Sequence, residues 1–152
     1  MRFKYLFLSL MLLILACSIT AIAAADDYES LGDYTFDIPD GYSVVNKSDE
    51  MVMMQSDEDH AVVVYKLDAV SDFGLVKSLL EDAGCEFSDE ETFQAGSFDV
   101  SQYSYNYTEI QGTLYVCNDG GNPILVADVI PASEDSAAIE GSPAKQVVDS
   151  LE

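Results

Sequence analysis

The chain alternates between two hydrophobic periods, and this alternation constrains its fold more than any other feature. Most segments place apolar residues at every second position, as strands with one buried face do, whereas two segments follow helical spacing. Turn residues such as Pro39-Asp40-Gly41 and Asp119-Gly120-Gly121-Asn122 separate them. Strands are predicted over 33–38, 42–45, 51–55, 60–67, 86–95, 97–109, 113–118 and 124–130. The order predicts an α+β fold, with a mainly antiparallel sheet and two packed helices.

The two predicted helices carry recognisable end signals. The first covers 68–83, with Ser71 or Asp72 as its cap and Gly84 as the left-handed residue beyond its end. The second begins after Ser142, with Pro143 at its first position. Its apolar face consists of Ala144, Val147, Val148 and Leu151.

Three segments are less regular. In 97–109, Phe98 and Val100 stand at even positions and the tyrosines at odd ones. Either the two groups face opposite sides of the sheet, or a bulge near Gln102 resets the register. A turn is expected at Gly112, and the polar segment 26–32 is expected to be loose.

The N-terminal segment has the architecture of a secretory signal. Arg2 and Lys4 precede an apolar run, and Ala23-Ala24-Ala25 offers a site for signal peptidase. Cleavage after Ala25 would leave one secreted domain, 26–152. An uncleaved membrane anchor and lipidation of Cys17 are the alternatives.

The charge of the remaining chain restricts its partners. All 28 acidic residues follow the signal segment, against four lysines and no arginine. Such a surface repels nucleic acid and anionic membranes. The expected partner is a protein or a glycan of unknown identity, and contact with a membrane is expected only if the N-terminal segment stays uncleaved.

Two pairs of residues are candidates for covalent modification. Cys85 and Cys117 are an even pair in an exported chain, which favours a disulfide over two free buried thiols. Asn46 and Asn106 begin Asn-x-Ser/Thr sequons and are candidate glycosylation sites.

The segment Phe36-Asp37-Ile38-Pro39-Asp40-Gly41-Tyr42 resembles the entry strand of PsbP-like domains. Such strands often carry an aromatic and an aliphatic residue before Pro-x-Gly-aromatic, and the later order of elements is also similar. The resemblance implies an α/β/α sandwich around an antiparallel sheet. It also implies a binding or assembly protein rather than an enzyme, with no catalytic residue to carry over.

Candidate ligand-binding residues lie on one predicted strand. Tyr103, Tyr105 and Tyr107 form an aromatic ladder that could stack a sugar or a peptide, or could instead pack beneath a helix. Asp57, Glu58 and Asp59 at a predicted hairpin tip are speculative metal ligands, although they lack the spacing of a calcium loop.

Residues for catalysis are few. His60 is the only histidine, and no nucleophile motif accompanies it. Asp128 interrupts the apolar strand 124–130, so it is either solvated at a frayed strand end or buried with a partner. The sequence therefore predicts a secreted or surface-associated, non-catalytic binding domain without a cofactor. An acidic cation-binding protein and a hydrolase are the alternatives.

Overall fold

A computed structural model describes residues 27–68, 72–134 and 142–152. Within these ranges the chain forms ten strands and two helices. The strands are β1 (Tyr28–Leu31), β2 (Tyr34–Asp37), β3 (Tyr42–Lys47), β4 (Met51–Ser56), β5 (Ala61–Lys66), β6 (Glu86–Phe87), β7 (Glu91–Ala95), β8 (Phe98–Tyr107), β9 (Ile110–Asn118) and β10 (Ile124–Pro131). The helices are α1 (Phe73–Asp82) and α2 (Pro143–Ser150). The segment predicted to be a secretory signal, Ser71 and most of the acidic connector before Ser142 lie outside the described residues.

Eight strands build one antiparallel sheet in the order β3-β4-β5-β10-β9-β8-β6, with β7 also paired to β8. The apolar strand β10 lies between β5 and β9, as its composition predicts. Side chains alternate between the two faces and form two separate cores. Helix α1 covers one face, while α2 and the β1–β2 hairpin cover the other. The predicted α+β sandwich is confirmed.

Strand β8 resolves the question of its register. It pairs with β9 without a shift from Asp99↔Asn118 to Tyr107↔Ile110, so there is no bulge near Gln102. Phe98 and Val100 therefore join the core beneath α2, and Tyr103 and Tyr105 join the core beneath α1. Residues at even and at odd positions of β8 therefore belong to different cores.

Two local predictions are wrong. Gly112 lies inside β9, and the turn that precedes this strand is at Thr108 and Glu109, where Thr108 adopts a φ of 48°. The segment 26–32, expected to be loose, contains β1, which pairs with β2. The same hairpin is anchored to the residue that follows the end of α2 by two positions, because Thr35 and Glu152 exchange two backbone hydrogen bonds of 3.0 Å.

Both helices use the expected caps. The Asp72 carboxylate accepts a hydrogen bond of 2.7 Å from the Gly74 N–H, and the first described helical residue is Phe73. Gly84 has a φ of 99°, in the left-handed region that glycine tolerates. At α2, the Ser142 hydroxyl accepts from the Lys145 N–H, with Pro143 in the first turn. No helix among the described residues has the length and apolar character needed to cross a bilayer.

The disulfide prediction is wrong, because Cys85 and Cys117 are free and belong to different cores. Cys85 packs beneath α1, and Cys117 lies beneath α2 on the other face of the sheet. Burial raises the pKa of the Cys85 thiol to about 11 and that of Cys117 to about 12. Both thiols are therefore protonated and poorly nucleophilic at neutral pH.

This arrangement predicts slow thiol modification in the folded state. In protein that begins at residue 26 and is kept without reductant, a thiol reagent should label Cys85 and Cys117 at well under a tenth of the rate of a free peptide thiol, because only the exposed thiolate reacts. Both should label at once in guanidinium chloride, and mass spectrometry counts the adducts. Denatured, unreduced protein that takes up no label would show that the disulfide exists after all.

Candidate functional site

Asp128 is a buried carboxylate at the N-terminal end of α2. Its side chain is 3 % exposed, and it lies in the middle of β10 rather than at a strand end. One carboxylate oxygen accepts a hydrogen bond from the Ser142 hydroxyl, and the other accepts one of 2.9 Å from the Ala144 N–H. The carboxylate of this sheet residue thus caps the N-terminus of α2, and the helix dipole favours a negative charge at that end. Of the two alternatives that the sequence leaves open, the buried and partnered one is correct.

The surroundings of this carboxylate are aromatic and hydroxylic. Burial raises the pKa of the Asp128 carboxyl, and the hydrogen bonds from Ser142 and Ala144 act in the opposite direction. Tyr115 is hydrogen-bonded to Ser142. Burial, followed by the charge of Asp128, raises the pKa of Tyr42 to about 12. Burial likewise raises the pKa of Tyr115. The hydroxyls of Tyr42 and Tyr115 around the cap therefore remain protonated at neutral pH.

The backbone carbonyl of Asp128 is also engaged. Tyr105 on β8 lies opposite Gly112 on β9, and its hydroxyl donates a 2.5 Å hydrogen bond to this carbonyl on β10. The β9–β10 ladder is interrupted here, since it runs to Ala127↔Leu114 and resumes at Ile130↔Gln111. A Cβ at position 112 would lie 2.1 Å from the Asp128 carbonyl oxygen. Glycine is therefore required for this close approach.

A cleft of about 480 Å³ opens beside the cap of α2. Its floor is formed by the parts of β8 and β9 next to the turn that connects them. These parts lie on the same face of the sheet as α2, but the helix does not cover them. Ser104 and Asn106 of β8 share the parity of Val100, which packs beneath α2, and their partners on β9 are Thr113 and Gln111. Asp128, Ile130 and Ser142 form the side of the cleft next to α2.

Several of these polar groups have no partner among the described residues. The Gln111 amide nitrogen donates to the backbone carbonyls of Pro131 and Glu134, but the side chains of Glu86, Asn106 and Thr113 have no such bond in the described part of the chain. The cleft therefore combines a fixed wall at Asp128 with a floor of available donors and acceptors.

The fold can be compared with known structures. The solution structure of cyanobacterial PsbP from Synechocystis sp. PCC 6803 is similar, with a TM-score of 0.52 and 15 % identity over 90 % of this chain and 97 % of that protein. The chain has a PsbP-like fold. A crystal structure from Bacteroides thetaiotaomicron VPI-5482 matches with a TM-score of 0.42 and 12 % identity, over 85 % of this chain and 48 % of the other. No family model and no curated protein matches.

In this PsbP-like domain the tyrosine ladder packs beneath a helix. Tyr103 and Tyr105 are 8 % and 6 % exposed, and Tyr107 is half-buried. The rings of Tyr103 and Phe73 of α1 have centroids 5.5 Å apart. The ladder therefore does not provide an exposed aromatic face for a ligand. Sequence reasoning missed the cleft instead, because only the strand pairing brings its floor together.

Of the other candidates, only Asn106 belongs to the cleft lining. His60 precedes β5, and its Nε2 is 2.6 Å from a Glu134 carboxylate oxygen. Asp57, Glu58 and Asp59 are exposed at the β4–β5 tip, and no group of three or more potential metal ligands occurs in the described ranges. Of the two sequons, Asn46 is half-buried on the edge strand β3, and Asn106 is exposed in the floor of the cleft. Glycosylation remains a prediction for both.

The four lysines of the described residues all have neighbours. Lys47, Lys77 and Lys145 form ion pairs with Glu29, Glu81 and Asp149, respectively. Lys66 lies over the ring of Tyr34, 5.8 Å from its centroid. None of the four lines the cleft, so the acidic character of the PsbP-like domain extends to this site.

Proposed function

We propose that this chain is a secreted or surface-associated binding domain without catalytic activity, and that the polar cleft holds its ligand. The observation that carries the proposal is the state of Asp128, the carboxylate buried beside the cleft. Both of its oxygens are occupied as the cap of α2, so it is a structural group rather than an acid or base poised for substrate.

The position of His60 supports the same conclusion. Its ring nitrogens lie beside the carboxylates of Glu58 and Glu134, and within the described ranges the ring has no hydrogen bond with a hydroxyl or thiol that could act as a nucleophile. The two cysteines are buried in the cores. The extracytoplasmic setting is proposed from the signal segment, and the PsbP-like fold is compatible with a binding role.

An activity screen tests the absence of catalysis. Mature protein should give no turnover above buffer on chromogenic esters, phosphates, glycosides and peptides, because no activated nucleophile faces the cleft. Turnover that disappears in both His60→Ala and Asp128→Asn, with the fold retained by circular dichroism, would contradict the proposal. Turnover that survives both changes would point to a contaminating enzyme. The protein is then purified further, and the assay is repeated before the result is interpreted.

Binding is tested with a matched pair of variants. Asn106→Trp fills the cleft from an exposed strand position, and Thr35→Trp makes the same change at an exposed position on β2, away from the cleft. In a thermal-shift screen of neutral sugars, amines and short peptides, we expect a ligand that raises Tm in the wild type and in Thr35→Trp but not in Asn106→Trp. Ligands that stabilise all three proteins equally would place binding elsewhere.

A further inference from the structure

The chemistry of the cleft excludes anionic ligands. Its lining contains two carboxylates, those of Glu86 and Asp128, and neither lysine nor arginine. The N-terminus of α2 offers no substitute, because the Ala144 N–H already donates to Asp128 and the Lys145 N–H donates to Ser142. A phosphate or carboxylate group in this cleft would meet negative charge without a compensating donor.

The available groups instead suit hydroxyls. The Asn106 amide and the Thr113 hydroxyl each donate and accept hydrogen bonds, as a sugar hydroxyl does, and the Glu86 carboxylate accepts them. A cationic ligand could contact only the Glu86 carboxylate directly, since Asp128 is 3 % exposed and both of its oxygens accept hydrogen bonds from the start of α2. The cleft volume of about 480 Å³ falls within the usual size range of small-molecule sites.

We propose that this cleft binds a neutral saccharide, with Asn106, Thr113 and Glu86 as its hydrogen-bonding contacts. The inference rests on the proposed binding function and names its ligand class. It differs from a sugar site on the tyrosine ladder, which lies on the opposite face of the sheet and is largely buried.

The test is an amide NMR titration of mature protein made in a host that adds no N-glycan to Asn106. The probes are neutral oligosaccharides of glucose and N-acetylglucosamine, with oligogalacturonate as the anionic comparison and spermine as the cationic one. We expect a neutral probe to shift the amides of Ser104, Asn106, Gln111 and Thr113 in a saturable manner, and oligogalacturonate to leave them unchanged.

Variants identify the contacts. Asn106→Ala and Thr113→Val should each weaken the binding of that probe roughly two- to tenfold, the effect of one hydrogen bond. Thr35→Val, which removes an exposed strand hydroxyl away from the cleft, should leave the affinity unchanged. Dispersed spectra of all variants establish that each is folded.

The outcomes separate this inference from the proposed function. If spermine shifts these amides and every neutral oligosaccharide fails, the ligand class is wrong while the cleft remains a binding site. If a neutral probe binds but shifts amides outside the cleft, the assigned site is wrong while a binding function stands. If no probe shifts any amide, the saccharide inference is overturned, and the thermal-shift screen decides the proposed function independently.

Discussion

Replacing Gly112 by alanine should destabilise the fold by at least about 3 kcal/mol in urea denaturation, near the upper end of overpacking effects. The new methyl group would lie 2.1 Å from the carbonyl oxygen of Asp128 and 3.1 Å from the Tyr105 hydroxyl oxygen. The nearest obstacle is backbone in the central strand β10, which cannot rotate away as a flexible side chain can. Relief would require separating β9 from β10 and breaking the bond from Tyr105.

Gly121→Ala is the matched control. A Cβ there would meet the side chains of Asp119 and Tyr34 rather than backbone, and the residue is exposed in a turn. We expect a change within about 0.5 kcal/mol. Tyr105→Phe in the Gly112→Ala background should cost less than it does alone, because the methyl group has already displaced the hydroxyl. Equal stabilities of the two alanine variants would refute the close approach at Gly112.

Replacing Asp128 by alanine should cost about 3 kcal/mol, because it removes the cap and leaves the Ser142 hydroxyl and the Ala144 N–H buried without their acceptor. Asp128→Asn retains an oxygen for Ala144 and should cost less. Asp72→Ala, which removes an exposed cap from α1, should cost only about 1 kcal/mol. Similar losses for Asp128→Ala and Asp72→Ala would contradict the buried role of Asp128.

The pH dependence has a definite sign. Because the folded state raises the pKa of Asp128 above its usual value near 4, the folded chain holds a proton that the unfolded chain releases in the window between the two values. The contribution of this group is therefore greatest at low pH and declines as the pH rises through that window. The stability difference between wild type and Asp128→Asn should shrink from pH 4 upward. A difference that grows with pH would mean that the folded pKa is lowered instead.

Sequence periodicity predicts most of this fold because most strands and both helices carry apolar residues at a regular spacing. It fails where contacts between residues distant in sequence determine the local structure. Gly112 has the signature of a turn, yet its small size serves Tyr105 and Asp128, which only the sheet brings near it. Strand β1 is short and polar, and its partner β2 stabilises it. The spacing of Cys85 and Cys117 gives no indication that the sheet separates them.

The candidate site was less predictable still. The burial of Asp128 follows from the position of α2, which the sequence predicts as a helix but does not place on the sheet. The cleft floor combines side chains from β8 and β9 with Glu86 of β6. Each of them is an ordinary polar strand residue by itself. Tyr103 and Tyr105 are core residues because α1 covers their face.

The pairing of Thr35 with Glu152 bears on the order in which the domain folds. The neighbouring contact from Ser150 to Asp37 spans 113 positions of sequence. Contacts so distant are slow to form, because a large loop must close before they stabilise anything. The core between α2 and the β1–β2 hairpin therefore cannot close until the last helix has docked. During synthesis, this half of the sandwich would stay open until α2 leaves the ribosome, while the strands made earlier can already pair.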